Sequence, residues 1–108
     1  MLKHVTAGAA LIISIFAGNP SLADASFAAE VCPKQGKIAG YIMSARQYGT
    51  FMSEKLAEYP EDTPLQATVR NIIYVAYDEP IWSSERRKEQ AIHEFRDMVE
   101  VQCFRALG

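Results

Sequence analysis

Cysteine is scarce in this chain. There are two, Cys32 and Cys103, with one tryptophan and two histidines, one of them His4 at the extreme N-terminus. Each scarcity removes a class of chemistry. Two cysteines 71 positions apart form no Cys-x-x-Cys redox pair and no four-ligand zinc cluster. One histidine beyond the N-terminal segment leaves no His-His metal helix and little scope for imidazole catalysis. Sustained apolar–polar alternation is also missing, so nothing reads as a half-buried strand. Strong charge of either sign is absent. The net charge is −2, which gives no general attraction for nucleic acid or anionic lipid. No repeat or low-complexity segment interrupts the chain.

What is present begins with the tripartite pattern of a secretory signal. Met1-Leu2-Lys3-His4 is a short basic head, and Val5 to Gly18 is apolar or small throughout. That run of about 14 is short against the roughly 20 residues that span a bilayer. Asn19-Pro20 breaks it, and Ser21-Leu22-Ala23 places small residues at the −3 and −1 positions of a cleavage site. Ala23-Asp24-Ala25 offers a second site. The expected division is residues 1–23 as a cleavable signal and 24–108 as a single domain. The alternative is an N-terminal membrane anchor. Ala29-Glu30-Val31 before Cys32 makes no lipobox. The mature part loses Lys3 and becomes slightly more acidic than the full chain.

Export places Cys32 and Cys103 in an oxidising compartment, periplasmic or secreted. A domain this small buries little of its surface and gains from a cross-link. With two cysteines only one intramolecular connectivity exists. An intermolecular bridge, or two free thiols, are the alternatives. A bridge closing about 70 residues stabilises by about 4 kcal/mol in the chain-entropy argument.

Helical periodicity is frequent. Pro33 to Tyr48 reads as the first strong helix, with Cys32 as N-cap, Pro33 at N1 and Gly49 as its stop. Its expected inner face is Ile38, Tyr41, Ile42, Ala45 and Tyr48. A short helix over Ser53 to Tyr59 should turn Met52 and Leu56 inward. Thr63-Pro64-Leu65-Gln66 carries a capping box and opens a third helix. Leu65, Val69, Ile72, Ile73, Ala76 and Tyr77 line it, and Asp78-Glu79-Pro80 ends it. Ser83 or Ser84 should cap a last helix to about Ala106, with Ala91, Ile92, Phe95, Met98, Val99, Gln102 and Cys103 inward. The fold class is all-α, a compact three-to-four helix bundle. Cys32 and Cys103 then hold the first and last helices antiparallel.

Three short segments resemble one another's counterparts in a known group. Ser44-Ala45-Arg46-Gln47-Tyr48-Gly49 with Met52-Ser53 resembles an "ARQ-x-G…MS" segment. Ala76-Tyr77-Asp78-Glu79-Pro80 resembles "AY-x-P", with Asp78-Glu79 where one residue is expected. Ala91-Ile92-His93-Glu94-Phe95 followed by Cys103 resembles "AI-x-(D/E)-F…C". Together they are similar to small exported helical proteins of bacteria and their prophages. That resemblance implies export and a helical fold. It implies no activity.

Candidate chemistry is thin. Glu89, His93 and Asp97 form one stripe on the last helix, but one imidazole and surface carboxylates read as a solvated face. Ser44, Ser53, Ser83 and Ser84 lie in no nucleophile elbow. Glu54, Glu58, Glu61 and Asp62 have no apolar setting that would raise a pKa. No metal, cofactor or catalytic set is expected.

Two segments stand out. Arg46-Gln47 ends an apolar helix, where a cation suits the macrodipole or contacts a partner. Trp82 is followed by Arg86-Arg87-Lys88 at the positive end of a helix, which disfavours cations. Trp82 either staples that helix start, with Arg86 and Arg87 paired to Asp78 and Glu79, or it heads a partner-binding patch. The favoured function is a protein-binding module of inhibitor or immunity type, with a protein partner in the envelope. An envelope stress holdase or structural protein is the alternative, and a carboxylate-based cell-wall enzyme comes last. Oligomeric state is left open.

Overall fold

The structure, a computed structural model, describes residues 22–108, with side chains from Ala25 onward. The signal assigned to residues 1–23 lies outside the described residues, except that helix α1 already begins at Leu22. Four helices follow in order: α1 (Leu22–Gln47), α2 (Met52–Ala57), α3 (Pro64–Tyr77) and α4 (Glu85–Leu107). No strand occurs among the described residues. The all-α bundle expected from periodicity is what forms.

Helix α1 corrects the expected start. It opens at Leu22, so Cys32 is not an N-cap and Pro33 lies inside the helix. A proline there removes one backbone hydrogen bond and crowds the preceding turn. Two things outweigh this. Ala25, Ala28 and Ala29 are strong helix formers in the turns before it. Ala28 and Cys32 are also fully buried in the core, so tertiary contact holds the early turns in place.

The buried stripe of α1 is Ala28, Cys32, Gln35, Ala39, Ile42, Met43 and Gln47. Apart from the adjacent pair Ile42–Met43, the steps are three and four, which makes this a coiled-coil-like seam. Tyr41 and Tyr48, expected inward, are half-exposed. Their rings lie across the flanks and their hydroxyls reach polar partners, as amphipathic side chains do. Gly36 and Gly40 sit on the side facing α4. A Cβ at Gly36 would collide with the Glu100 side chain, and one at Gly40 would touch Arg96 and Ile92. Small residues here let α1 and α4 approach closely.

The two helices run antiparallel, joined by the Cys32–Cys103 disulfide with a Cα–Cα separation of 5.6 Å. Both cysteines are fully buried. α4 contributes Ala91, Phe95, Val99, Cys103 and Leu107 to the core, a stripe close to the expected one. Ser84 is its N-cap and accepts from Arg87 N. α1 packs along most of its length on α4, and over a shorter stretch on α3.

Helix α3 starts as the sequence requires. Thr63 Oγ1 accepts from Gln66 N at 3.1 Å, with Pro64 in the first turn. The reciprocal half of the capping box does not form. Gln66 Oε1 instead accepts from Glu61 N at 2.7 Å, which fastens the preceding loop. Arg70 donates to the carbonyls of Tyr59 and Glu61, both at 2.8 Å, and clamps the same loop. Val69, Ile72, Ile73 and Ala76 are buried as expected, while Leu65 is exposed because it falls in the first turn, beyond the packed stretch.

Helix α2 starts one residue earlier than expected and ends at Ala57. Leu56 packs on the core, but Met52 is exposed. The buried residue of α2 is Lys55. Its ammonium donates to Tyr41 Oη at 2.7 Å, pairs with Glu58 at 2.8 Å, and lies 4.0 Å from the Tyr41 ring centroid. Burial works against the charge, and the Glu58 carboxylate and Tyr41 hydroxyl more than offset it, so the pKa is raised.

Candidate interaction surface

The C-terminal end of α1 and the two loops 48–51 and 78–84 form one end of the bundle. Gly49 makes this possible. Its φ of 90° ends α1 in the left-handed region, and Thr50 N then bonds Ala45 O at 2.9 Å. Residues 50 and 51 are thereby turned toward α3.

Gln47 organises this end from inside. It is 1% exposed. Its Nε2 donates to Pro80 O at 2.8 Å and its Oε1 accepts from Trp82 N at 2.9 Å. Its carbonyl accepts from Lys88 Nζ at 2.8 Å. One residue therefore fixes the 80–82 backbone and the first turn of α4. Gln47 leaves the candidate surface on this geometry, because its amide is consumed within the chain. Lys88 is committed in the same way, with its ammonium also 5.4 Å from the Tyr48 ring. The single Tyr48 O–H donates chiefly to Glu85 at 2.5 Å, with Glu89 as a second acceptor at 3.2 Å. The hydrogen bond to Glu85 first, then partial desolvation and the Glu89 bond, push its pKa well above the ordinary tyrosine value.

Trp82 is half-buried, and the Arg87 guanidinium carbon stacks 4.1 Å from the centre of its indole. The pair stands over a cleft of about 190 Å³ lined by Ala91, Phe95 and Met98, with Glu79 and Glu94 at its edges. The expected pairing of Arg86 and Arg87 with Asp78 and Glu79 does not form. Among the described residues, no ion pair engages either arginine. The stack on Trp82 takes Arg87 instead, and Arg86 is exposed. Arg46 turns the other way. Its Nε donates to Glu79 O at 2.9 Å and its guanidinium lies 5.3 Å from the Tyr77 ring centroid. Arg46 thus shares a loop with Trp82 and faces a separate cleft.

The other candidates stay apart. His93 and Asp97 are exposed, and Glu89 is engaged by Tyr48. No group of three metal-ligating side chains occurs among the described residues. Ser84 serves as a cap, Glu58 pairs with Lys55, and Asp62 lies 3.8 Å from Arg70. Sequence reasoning missed Phe51 and Ile81, which line the second cleft with Arg46 and with Tyr77, a residue expected on the inner face of its helix. A signal existed. Phe51 and Ile81 are large apolar residues in segments that carry no helical periodicity.

Among the described residues, no helix is long and apolar enough to cross a membrane. No protein-family profile, curated protein or solved structure matches the chain.

Proposed function

We propose that this chain is an exported, disulfide-stabilised module that binds a protein partner through its loop end. The observation that carries the reading is the Trp82–Arg87 stack, 4.1 Å apart, over an open apolar-floored cleft. Aromatic and arginine side chains beside a pocket are the usual composition of a binding hot spot. Arg86 and Arg87 add two cations without ion-pair partners among the described residues. The buried disulfide and the signal-like N-terminus favour the periplasm or the cell exterior as the place of action. The likeness to small exported prophage-type proteins points the same way. An inhibitor or immunity-type protein has this design, a rigid scaffold with one exposed end.

The test is capture of the partner by in-cell crosslinking from a photoreactive residue placed at the exposed Ser83, comparing the otherwise native chain with Trp82→Ala/Arg87→Glu. The expected result is loss of the crosslinked species with helical content unchanged. Capture that survives the double substitution contradicts the proposal.

A holdase reading draws on one observation, the exposure of Phe51 and Ile81 at the same end. It requires more apolar surface to open under stress. Dye binding that rises between pH 7 and acid conditions supports it, and unchanged dye binding removes it.

A further inference from the structure

The loop end encloses a second cleft, of about 270 Å³, walled by Arg46, Thr50, Phe51, Met52, Tyr77 and Ile81. Its walls are fixed from within. Tyr77 Oη donates to Thr50 O at 2.7 Å, and Thr50 N is bonded to Ala45 O. Arg46 is held by its Nε bond to Glu79 O and by its stack on Tyr77. Its two terminal nitrogens have no hydrogen-bond or ion-pair partner among the described residues. A guanidinium oriented in this way, with its fork open, is prepared for bidentate contact with a carboxylate.

The lips of the cleft are apolar. Phe51 is 72% exposed, Ile81 49% and Met52 37%. Phe51 occupies the N-cap of α2 and makes no side-chain cap bond. Serine, threonine or aspartate would serve that helix better, so helix stability does not account for the phenyl ring. Among the described residues lining this cleft, Arg46 is a cation with no carboxylate partner. Lys55 and Glu58 neutralise each other, and Glu54, in the first turn of α2, is exposed and screened.

We propose that this cleft binds a carboxylate carried beside a large apolar side chain on a partner polypeptide. The carboxylate meets the Arg46 fork and the side chain enters between Phe51, Met52 and Ile81. Charge complementarity selects the carboxylate. Size selects a polypeptide, because about 270 Å³ falls just below the usual range for small-molecule pockets and suits one side chain. The exposed lips then add contact with the remainder of the partner. The inference deepens the reading of this end as a docking surface and rests on it for its biological setting.

The experiment uses the oxidised protein and two probes, N-acetyl-L-phenylalanine and its uncharged amide, N-acetyl-L-phenylalaninamide. Backbone amide shifts are followed through each titration. The acid should shift Thr50, Phe51, Met52, Tyr77 and Ile81 saturably and bind about tenfold more tightly than the amide, as one charge-assisted contact gives. Arg46→Gln should erase that difference, and Phe51→Ala should weaken both probes. Equal binding of acid and amide, shifts centred elsewhere, or an Arg46→Gln protein that binds the acid like the native chain overturns the proposal. So do shifts that depend on protein concentration without probe, since a second copy is then the occupant. The probes read the cleft directly, so failed partner capture in cells and failed probe binding are separate outcomes.

Discussion

At one end of the bundle a buried covalent bond between Cys32 and Cys103 ties α1 to α4. At the other end the same two helices are joined by the Gln47 amide, the Lys88 ammonium and the Tyr48 hydroxyl. The covalent end is walled by buried side chains such as Ala28 and Leu107. The polar end is partly solvated, and its bonds are made by exposed or half-exposed side chains around one buried glutamine. A small domain with limited apolar area can be locked at one end and left adaptable at the other. The Trp82 and Arg46 clefts lie at the adaptable end, with Phe51 and the unpaired Arg86 and Arg87 beside them, while the covalent end also exposes Phe27 and Phe104.

The largest effect is expected at the locked end. Cys32→Ser/Cys103→Ser should lower stability by about 4 kcal/mol, from the entropy of a loop of about 70 residues. Urea unfolding of the variant beside the native protein measures it. Ile72→Ala, in the core both ends share, should cost about 3 kcal/mol through lost burial and a residual cavity. Gln47→Ala should cost about 2 kcal/mol, because it strands the Trp82 N–H and the Pro80 carbonyl in a part-buried site. A loss below about 0.5 kcal/mol would mean that the polar end is not held from Gln47.

Alkaline pH should loosen the molecule with no change of sequence. Tyr48, Tyr59 and Tyr77 have raised pKa values, through the Glu85 bond in the first case and burial in the other two, and Lys55 is raised as well. A group whose folded pKa exceeds its unfolded one contributes fully below the unfolded value and loses that contribution as pH rises. Stability should therefore be flat up to about pH 10 and fall above it. Thermal midpoints between pH 7 and 11 test this, and Tyr48→Phe should shallow the fall. The smallest effect belongs to the surface. Arg86→Ala should change stability by less than about 0.5 kcal/mol while weakening partner capture.

The sequence carried the helices wherever caps and periodicity agreed, as at Thr63-Pro64 and Ser84. It misled at Pro33, where a strong local start signal sits in a helix that begins about three turns earlier and is held there by the buried Ala28. The half-exposure of Tyr41 and Tyr48 was also hidden, because an apolar index does not register where a hydroxyl will find a partner. Gln35 shows the same limit in reverse. It is buried, and neither of its amide atoms has a hydrogen-bond partner among the described residues. The Trp82 and Arg87 segment was legible because its cations stand where a helix dipole disfavours them. The Arg46 cleft was not, since it joins residues up to 35 positions apart across two loops.

Region-resolved hydrogen exchange of the oxidised and reduced protein tests the central contrast most directly. If the two ends are held independently, reduction should speed exchange first in residues 25–35 of α1 and 100–107 of α4. Amides of the loop end, Thr50 and Trp82 among them, should change least. Uniform acceleration, or loss of protection beginning at the loop end, would contradict a bundle locked at one end and adaptable at the other.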